Sequence, residues 1–527
     1  MSHFLSPVPR IRSNSGGAPS LEFLYWRYVT VALRVTRSPL SLSHSPYSAL
    51  IHTLDDDSLL NIFYFCRPAL LDEEEVDDDR ILQRGEWDRE RWWYKLAHVC
   101  RRWRCLVLAS ASHLGLCLLC TYGTPVADML AHSPPFPLII DYIDKDHHGV
   151  TAEDHDEGIQ IALWHRDRVR RIRLSRPVLN LQKLIMSIND EFPMLEYLYI
   201  RPLGTYGTSP SLALPTLQAS NLCHLILYGF AFPTTTAGLV TLSLTDISLS
   251  AYSPPNHLLR RLSVMPQLET LNIGFHSPIP NRDIERQLLH APITTDVILP
   301  NLRSFRFKGT SAYLEALLPR ITTPLLERLY VTFFNQLTLA IPHLLPFLQT
   351  TEHLEFNSAT IEFFDQGVDV SVHPREGAKV FAFNMRVICP HLDWQVASAV
   401  QISHALRAEF AGIEDLTLEY WGYFRSSQQH HEADRTQWRE LLMLYSEVKT
   451  LRLEDELVWE LSRSLQSPDG ESSMEILPRL QKLSYSGSLL AGQAFSHFLD
   501  VRQNAGHPIT LIHREISPSV PLRLGMV

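Results

Sequence analysis

The 527-residue chain is 45% hydrophobic and 20% charged, a composition typical of a globular protein rather than a disordered one. Its formal net charge of −10 argues against broad nucleic-acid binding. The length exceeds what one hydrophobic core usually holds, so the sequence predicts two or more folding units. Seven cysteines in so long a chain do not indicate a disulfide framework, and we expect a reducing compartment.

The first 48 residues are rich in serine and arginine and contain a single acid, Glu22. This composition resembles that of a transit peptide. The alternative is a disordered tail or an extension that does not belong to the native protein, and we favour that alternative.

Two helical patterns follow in chain order. The first, residues 54–66, begins with Asp55, Asp56 and Asp57, acids that suit the N-terminus of a helix, and continues with apolar residues at helical spacing. The second, residues 92–108, has an apolar seam that predicts two short helices. On periodicity alone, an ordinary small helical bundle explains both patterns.

The two patterns also match the F-box motif. In that motif a leucine-rich helix ends in isoleucine–phenylalanine, and a second block carries valine–cysteine, two basic residues and tryptophan. The matching residues are Leu54, Asp57, Leu59, Leu60, Ile62, Phe63, Leu96, Val99, Cys100, Arg101, Arg102, Trp103 and Ala109. Residues 49–115 therefore resemble the F-box of F-box-like proteins from filamentous fungi. Asp55 stands where the family usually has proline, and an acidic insert, residues 70–88, separates the helices more widely than usual.

The resemblance implies that this segment docks on the Skp adaptor of a cullin–RING ubiquitin ligase. The residues that it implies for the adaptor contact are Leu54, Leu59, Leu60, Ile62, Phe63, Leu96, Val99, Cys100, Trp103 and Leu106. Catalysis of ubiquitin transfer would lie in other subunits, so we expect no enzymatic activity and no cofactor in this chain. We expect a cytoplasmic or nuclear location, because an F-box has no evident use inside an organelle.

Three other sequence features could suggest a binding site or a membrane helix, but each is better explained by the structure of the chain itself. Cys117 and Cys120 form a lone C-x-x-C without the second pair that a zinc site needs, so we expect buried thiols. Six arginines between Arg166 and Arg176 could bind phosphate or nucleic acid, but they flank an apolar strand pattern, which favours an exposed strand edge. No apolar run reaches the roughly 18 residues of a membrane helix, so we expect no membrane partner.

After residue 160 the chain returns to one pattern: apolar, two variable residues, apolar, one variable residue, apolar. In its strict form a proline lies two residues before the first leucine, and about one such match is expected by chance. Five are present, at 193–200, 266–273, 300–307, 324–331 and 478–485. Looser copies lie at 169–174, 222–227, 239–244, 413–418 and 448–453, whereas residues 357–412 show only a possible copy at 378–383.

The spacing of adjacent copies, mostly 24 to 35 residues, is typical of repeat solenoids. The pattern resembles leucine-rich repeats, in which each unit contributes one short parallel strand and a returning helix. The predicted fold class is therefore α/β: a small helical F-box followed by an irregular leucine-rich-repeat-like solenoid over residues 116–515, and a tail, residues 516–527. The alternative is a non-solenoid α/β domain with several parallel strands.

Strand residues between the leucines would face the concave surface, where we expect them to be exposed and arranged in rows across neighbouring repeats. The candidates for contact with a target protein are Tyr197, Tyr199, Thr270, Asn272, Arg306, Lys308, Arg328 and Tyr330. Tyrosine and arginine are favoured at binding hot spots. A solvated strand face without a binding role is the alternative for each of them. The identity of the target does not follow from the sequence.

Overall fold

The computed structural model describes residues 54–68, 91–143, 153–188, 191–203, 217–231, 238–248, 251–276, 293–334, 339–349, 356–374, 382–421, 435–465, 475–486 and 489–514. The predicted N-terminal extension (1–48), the acidic insert (70–88) and the tail (516–527) lie outside the described residues.

The described residues form a mixed α/β structure. Its strands are β1 (Leu118–Cys120), β2 (Leu138–Tyr142), β3 (Val169–Pro177), β4 (Tyr197–Leu203), β5 (His224–Tyr228), β6 (Thr241–Ile247), β7 (Thr270–Phe275), β8 (Val297–Ile298), β9 (Ser304–Gly309), β10 (Ile321–Thr322), β11 (Arg328–Phe333), β12 (Phe356–Phe364), β13 (Gly367–Pro374), β14 (Ala382–Ile388), β15 (Asp415–Trp421), β16 (Thr450–Leu453), β17 (Lys482–Ser486) and β18 (Thr510–Arg514). Its helices are α1 (Asp56–Phe65), α2 (Trp92–Ala97), α3 (Arg101–Ala109), α4 (Ala111–Leu114), α5 (Val126–His132), α6 (Glu153–Trp164), α7 (Val178–Ser187), α8 (Pro255–Leu262), α9 (Ser311–Leu317), α10 (Leu344–Gln349), α11 (Leu392–Ala405), α12 (Arg407–Phe410), α13 (Arg435–Met443), α14 (Asp455–Leu465) and α15 (Ser496–Asn504).

One large sheet dominates the structure, and its strand order largely follows the chain. Within the described residues it contains 16 strands, in the order β1-β2-β3-β4-β5-β6-β7-β9-β11-β14-β13-β12-β15-β16-β17-β18. All neighbouring pairs are parallel except the two that involve β13. The two remaining strands, β8 and β10, pair separately. The prediction of an α/β structure with parallel strands is confirmed.

The five strict copies of the repeat all begin their strands in the same way. In each copy the strand starts four residues after the proline, as from Pro193 to Tyr197. The leucine two residues after the proline is buried, and its amide donates a hydrogen bond to the carbonyl of the residue before the proline, as from Leu195 to Phe192. This is a β-turn with proline at its second position, where the ring presets φ near −65°. The proline therefore fixes where the chain enters the sheet.

The apolar side chains of successive strands stack in register. One such row contains Ile172, Leu198, Leu225, Leu242, Leu271, Phe305, Leu329 and Phe383, and none of these is more than 2% exposed. They belong to a continuous core that extends from Leu59 in α1 to Phe498 in α15. The boundary predicted at residues 115–116 thus separates helices from sheet but not two cores. A single core can run through so long a chain because each unit packs mainly on its neighbours.

Residues 356–388 depart from the repeat. β12 and β13 form an antiparallel hairpin with the two-residue loop 365–366, and this hairpin lies between β14 and β15 in the sheet. From Ala359 onward β12 alternates, with Ala359, Ile361 and Phe363 buried and flanked by half-buried residues. Alternation of period two suits an ordinary strand pair and carries no proline turn. The possible copy at 378–383 overlaps β14, where Phe383 pairs with Leu329 of β11.

The hairpin enters the sheet through a close backbone approach at Gly367. A Cβ atom on Gly367 would lie 2.6 Å from the carbonyl oxygen of Val387 in β14. We expect Gly367→Ala to lower the free energy of unfolding by about 1–3 kcal/mol, because the strand or its neighbour must shift. Urea denaturation measures the change. Gly238→Ala is the matched control, since a Cβ there would meet nothing within 4 Å. Equal stability of the two variants would show that β13 does not pack on β14 as described.

Candidate functional site

The N-terminal helical segment, residues 54–68 and 91–114, is held together by contacts between its two parts. Asp55 caps α1 by accepting a hydrogen bond from the Ser58 amide at 2.7 Å, and this bond holds the pKa of the Asp55 carboxyl below its usual value. Arg102 of α3 reaches back to α1, donating to Asp56 Oδ1 at 2.7 Å and to the Leu54 carbonyl at 2.6 Å. The arginine that the motif supplies therefore joins two segments that are distant in sequence.

The same segment covers one edge of the large sheet. Trp93 Nε1 donates a hydrogen bond to the Cys117 carbonyl at 3.3 Å, next to the edge strand β1. The Trp93 ring also packs edge-on against Phe136, with centroids 5.9 Å apart. An uncovered edge strand would expose backbone groups that can pair with another chain. The helical segment thus contacts the chain beside the edge strand β1.

The structure divides the ten residues expected at an adaptor contact into three groups. Leu59 and Phe63 are buried within the chain, and the Phe63 ring lies 4.8 Å from that of Trp103. Ile62 and Val99 are 42% and 40% exposed. The half-buried residues are Leu54, Leu60, Leu96, Cys100, Trp103 and Leu106. The buried pair holds the helical segment together, and the exposed pair lies where another protein can reach it.

Additional large side chains are exposed on α1 beside Ile62. Phe65 is 75% exposed and Tyr64 is 47% exposed. Ile62 and Phe65 are three residues apart and share one side of the helix. With Val99 they give this small segment several exposed apolar side chains.

The eight residues expected to contact a target all lie on β4, β7, β9 and β11, and the register places them in rows. We call their surface the polar sheet face; on β3–β7, β9 and β11 it consists of three positions per strand. The first row is Arg171, Tyr197, His224, Thr241, Thr270, Ser304 and Arg328. The second is Arg173, Tyr199, Ile226, Ser243, Asn272, Arg306 and Tyr330. The third positions are Ser175, Arg201, Tyr228, Thr245, Gly274, Lys308 and Thr332.

Of the eight predicted residues, seven are half-buried and Tyr199 is buried. The Tyr199 ring lies 5.6 Å from Tyr228 on the next strand, and close cross-strand packing of the two rings accounts for its burial. Tyr199 is therefore placed to support the face rather than to contact a ligand directly. Polar side chains on the face also pair with each other: Asn272 Nδ2 donates to Ser243 Oγ at 3.1 Å.

Three arginines of the polar sheet face stack on tyrosines of the following strand. Arg171 lies over Tyr197 at 5.9 Å, Arg201 over Tyr228 at 5.0 Å and Arg306 over Tyr330 at 4.8 Å, measured from the guanidinium carbon to the ring centroid. Cation–π stacking of this kind restricts the orientation of the guanidinium group. Arg201 and Tyr228 were not predicted, because the repeat pattern ends before both; extending each copy by one alternating position would have found them.

Charge is segregated along the polar sheet face. The three rows defined above contain six cations, Arg171, Arg173, Arg201, Arg306, Lys308 and Arg328, and no carboxylate. The rows continue into β13, β12 and β15, where the face carries the carboxylates Asp369, Glu362, Asp415 and Glu419 and no lysine or arginine. At the junction, Arg386 of β14 pairs with Asp369 at 2.7 Å. The sequence did not indicate this boundary, since the hairpin breaks the repeat there.

The arginines between Arg166 and Arg176 are mostly engaged within the chain. Arg168 donates to the carbonyls of Phe136 and Pro134, and Arg170 pairs with Glu196 at 2.7 Å. The expectation of an exposed strand edge is wrong, because β3 is paired on both sides, with β2 and β4. The apolar strand pattern was identified correctly, but a single sequence does not show which strands lie at an edge.

Both cysteines of the C-x-x-C are buried. Burial raises the pKa of the Cys120 thiol to about 12, so Cys120 is protonated at neutral pH and is a poor metal ligand or nucleophile. Among the described residues, histidines, cysteines and carboxylates do not come together in a group that could hold a metal ion. No helix in the described part of the chain is both long enough and apolar enough to span a bilayer.

Comparison with known proteins adds no family assignment. No model of a known protein family matches the sequence, and no curated protein matches it.

Proposed function

We propose that this protein is the substrate-recognition subunit of an SCF-type cullin–RING ubiquitin ligase. In this proposal the N-terminal helical segment is an F-box that docks on a Skp-type adaptor. The large sheet with its helices is an irregular leucine-rich-repeat-like solenoid, and its polar sheet face captures the target protein. The mechanism is proximity: a lysine-bearing target is held near a charged conjugating enzyme, and the catalytic groups belong to other subunits.

The observation that carries the proposal is the exposure of Ile62, Phe65 and Val99 in a segment where the other eight residues expected at the adaptor contact are buried or half-buried. These exposed apolar side chains lie on the segment that matches the F-box motif, where an adaptor contact would need them. The largely sequential order of the parallel strands supports the solenoid assignment, because β1 to β7 and β15 to β18 each lie beside the next strand in the chain. A cytoplasmic or nuclear location follows from the proposed partners.

A second candidate has its own observation. The Trp93–Cys117 hydrogen bond and the Trp93–Phe136 contact make the helical segment a cap for β1, and a repeat protein needs such a cap for its own stability. In that case the chain would be an interaction protein that has no Skp partner. A third possibility is a scaffold that binds Skp without joining a ligase.

Affinity purification of the full chain separates the three. The proposed function predicts that both Skp and a cullin co-purify, and that bound target accumulates when the proteasome is inhibited. Skp without cullin would indicate the scaffold, and the absence of both would indicate the cap. Purified Skp titrated into the full chain by calorimetry provides the corresponding direct measurement.

A further inference from the structure

The lysines and arginines of the polar sheet face are spaced in a way that limits which ligands can contact them together. Its cations fall into two groups, one on β3 and β4 and the other on β9 and β11. The strands between them, β5, β6 and β7, contribute no lysine, arginine or carboxylate to the three rows. Four strand spacings separate β4 from β9 in the sheet order, which is about 19 Å at 4.8 Å per strand.

The first group contains Arg171, Arg173 and Arg201. Arg173, in the same group, pairs with Asp141 of β2 at 3.2 Å, and both side chains are largely buried. Asp141 therefore neutralises Arg173. The second group contains Arg306, Lys308 and Arg328 on two adjacent strands. Each group includes at least one arginine that is stacked on a tyrosine, so part of the ordering cost of binding is already met.

We propose that this basic part of the polar sheet face binds an extended acidic segment of a protein partner, with carboxylates in two clusters about six residues apart. An extended chain advances about 3.3 Å per residue, so about six residues span the distance between the two cation groups. Stacked guanidinium groups present planar N–H donors that match carboxylates. The uncharged strands β5–β7 suit the uncharged middle of the segment. This inference rests on the proposed function, since it names the class of target that the face captures.

The surroundings of the face favour an acidic peptide over a nucleic acid. A nucleic-acid strand carries a phosphate about every 3.4 Å, which would place several phosphates over the uncharged strands. Beyond β14 the face becomes acidic, with Asp369 and Glu362 next in the row, so an acidic segment would stop there. The boundary thus also fixes the position of the ligand.

The test uses the full chain and fluorescein-labelled synthetic peptides. One peptide has two glutamate clusters separated by about six glycine and serine residues. The second has the same composition with all glutamates contiguous, and a single-stranded oligothymidylate serves as the nucleic-acid probe. We expect fluorescence anisotropy at low ionic strength to show tightest binding by the two-cluster peptide. The advantage over the contiguous peptide should be about tenfold or more, because only the former reaches both cation groups at once.

Substitutions in each of the two cation groups test where the two-cluster peptide binds. Arg306→Glu with Lys308→Glu should weaken the two-cluster peptide about tenfold or more, and Arg201→Glu should weaken it through the other group. Arg260→Glu on α8, which matches the charge change of Arg201→Glu, lies outside the rows of the polar sheet face and should leave affinity unchanged. Arg306→Gln with Lys308→Gln provides a milder pair for use if the glutamate variants fail to fold.

Three results would overturn the inference: no binding of the two-cluster peptide, equal affinity for oligothymidylate, or affinity that is unaffected by the Arg306 and Lys308 variants. Skp binding measured on the same samples keeps this inference separate from the proposed function. Peptide binding without Skp binding removes the ligase role and leaves the ligand class. Skp binding without peptide binding would keep the proposed ligase role and refute the acidic-segment ligand.

Discussion

Replacing Leu271 with aspartate is expected to unfold β7 and the strands beside it. Leu271 is fully buried, and its neighbours in register are Leu242 and Phe305. An unpaired carboxylate in this row has no hydrogen-bond donor and no counter-charge, so we expect a loss of at least about 4 kcal/mol in the free energy of unfolding. Because each strand packs on its neighbours, the damage should spread to adjacent units.

Thr270→Asp is the matched control, one residue earlier on the same strand. Thr270 is half-buried on the polar sheet face, where an added carboxylate keeps contact with water. Its effect on stability should stay within about 1 kcal/mol. Thermal melts and urea titrations of both variants measure the contrast. Equal destabilisation would mean that the two side chains do not lie on opposite sides of the sheet, and the assignment of the polar sheet face would fail with it.

Replacing Ile62 and Val99 together with aspartate is expected to abolish or strongly weaken binding to a Skp-type adaptor. If these exposed side chains form the centre of the contact, the affinity loss should exceed about 2 kcal/mol. Folding should change little, because both side chains are about 40% exposed in the free chain. Calorimetric titration with Skp, together with a thermal melt of the variant, measures both quantities.

The exposed pair gives a sharper test than the leucines of the motif do. Leu59 is 1% exposed within the chain's own core, so Leu59→Ala would cost about 2–5 kcal/mol of folding stability and would reduce adaptor binding indirectly. Val264→Asp is the matched control for Val99: Val264 is 44% exposed and precedes β7, far along the chain from the helical segment. Unchanged Skp affinity in a folded Ile62→Asp, Val99→Asp variant would refute the F-box proposal.

The sequence by itself determined the strands that carry the repeat. Pro266 and Leu268, for example, specify a β-turn and a buried anchor, and both act within a few residues of β7, so no distant contact is needed to interpret them. Two-residue alternation then assigns Leu271 to the buried side and Thr270 to the other. The acids at the start of α1 and the apolar seam of α2 and α3 likewise indicated helices from local chemistry alone.

Only the tertiary structure decided which residues of these elements are available to a partner. Leu59 and Ile62 are both apolar residues of the same motif, yet the packing of α1 on α3 buries the first and leaves the second exposed. The same holds for the charges of the sheet. Arg306 and Asp369 are 63 positions apart in the sequence, but insertion of the hairpin brings basic and acidic stretches of the face together at β14. Periodicity determines on which side of a helix or strand a residue lies. Its burial and the distribution of charge around it depend on which elements become neighbours.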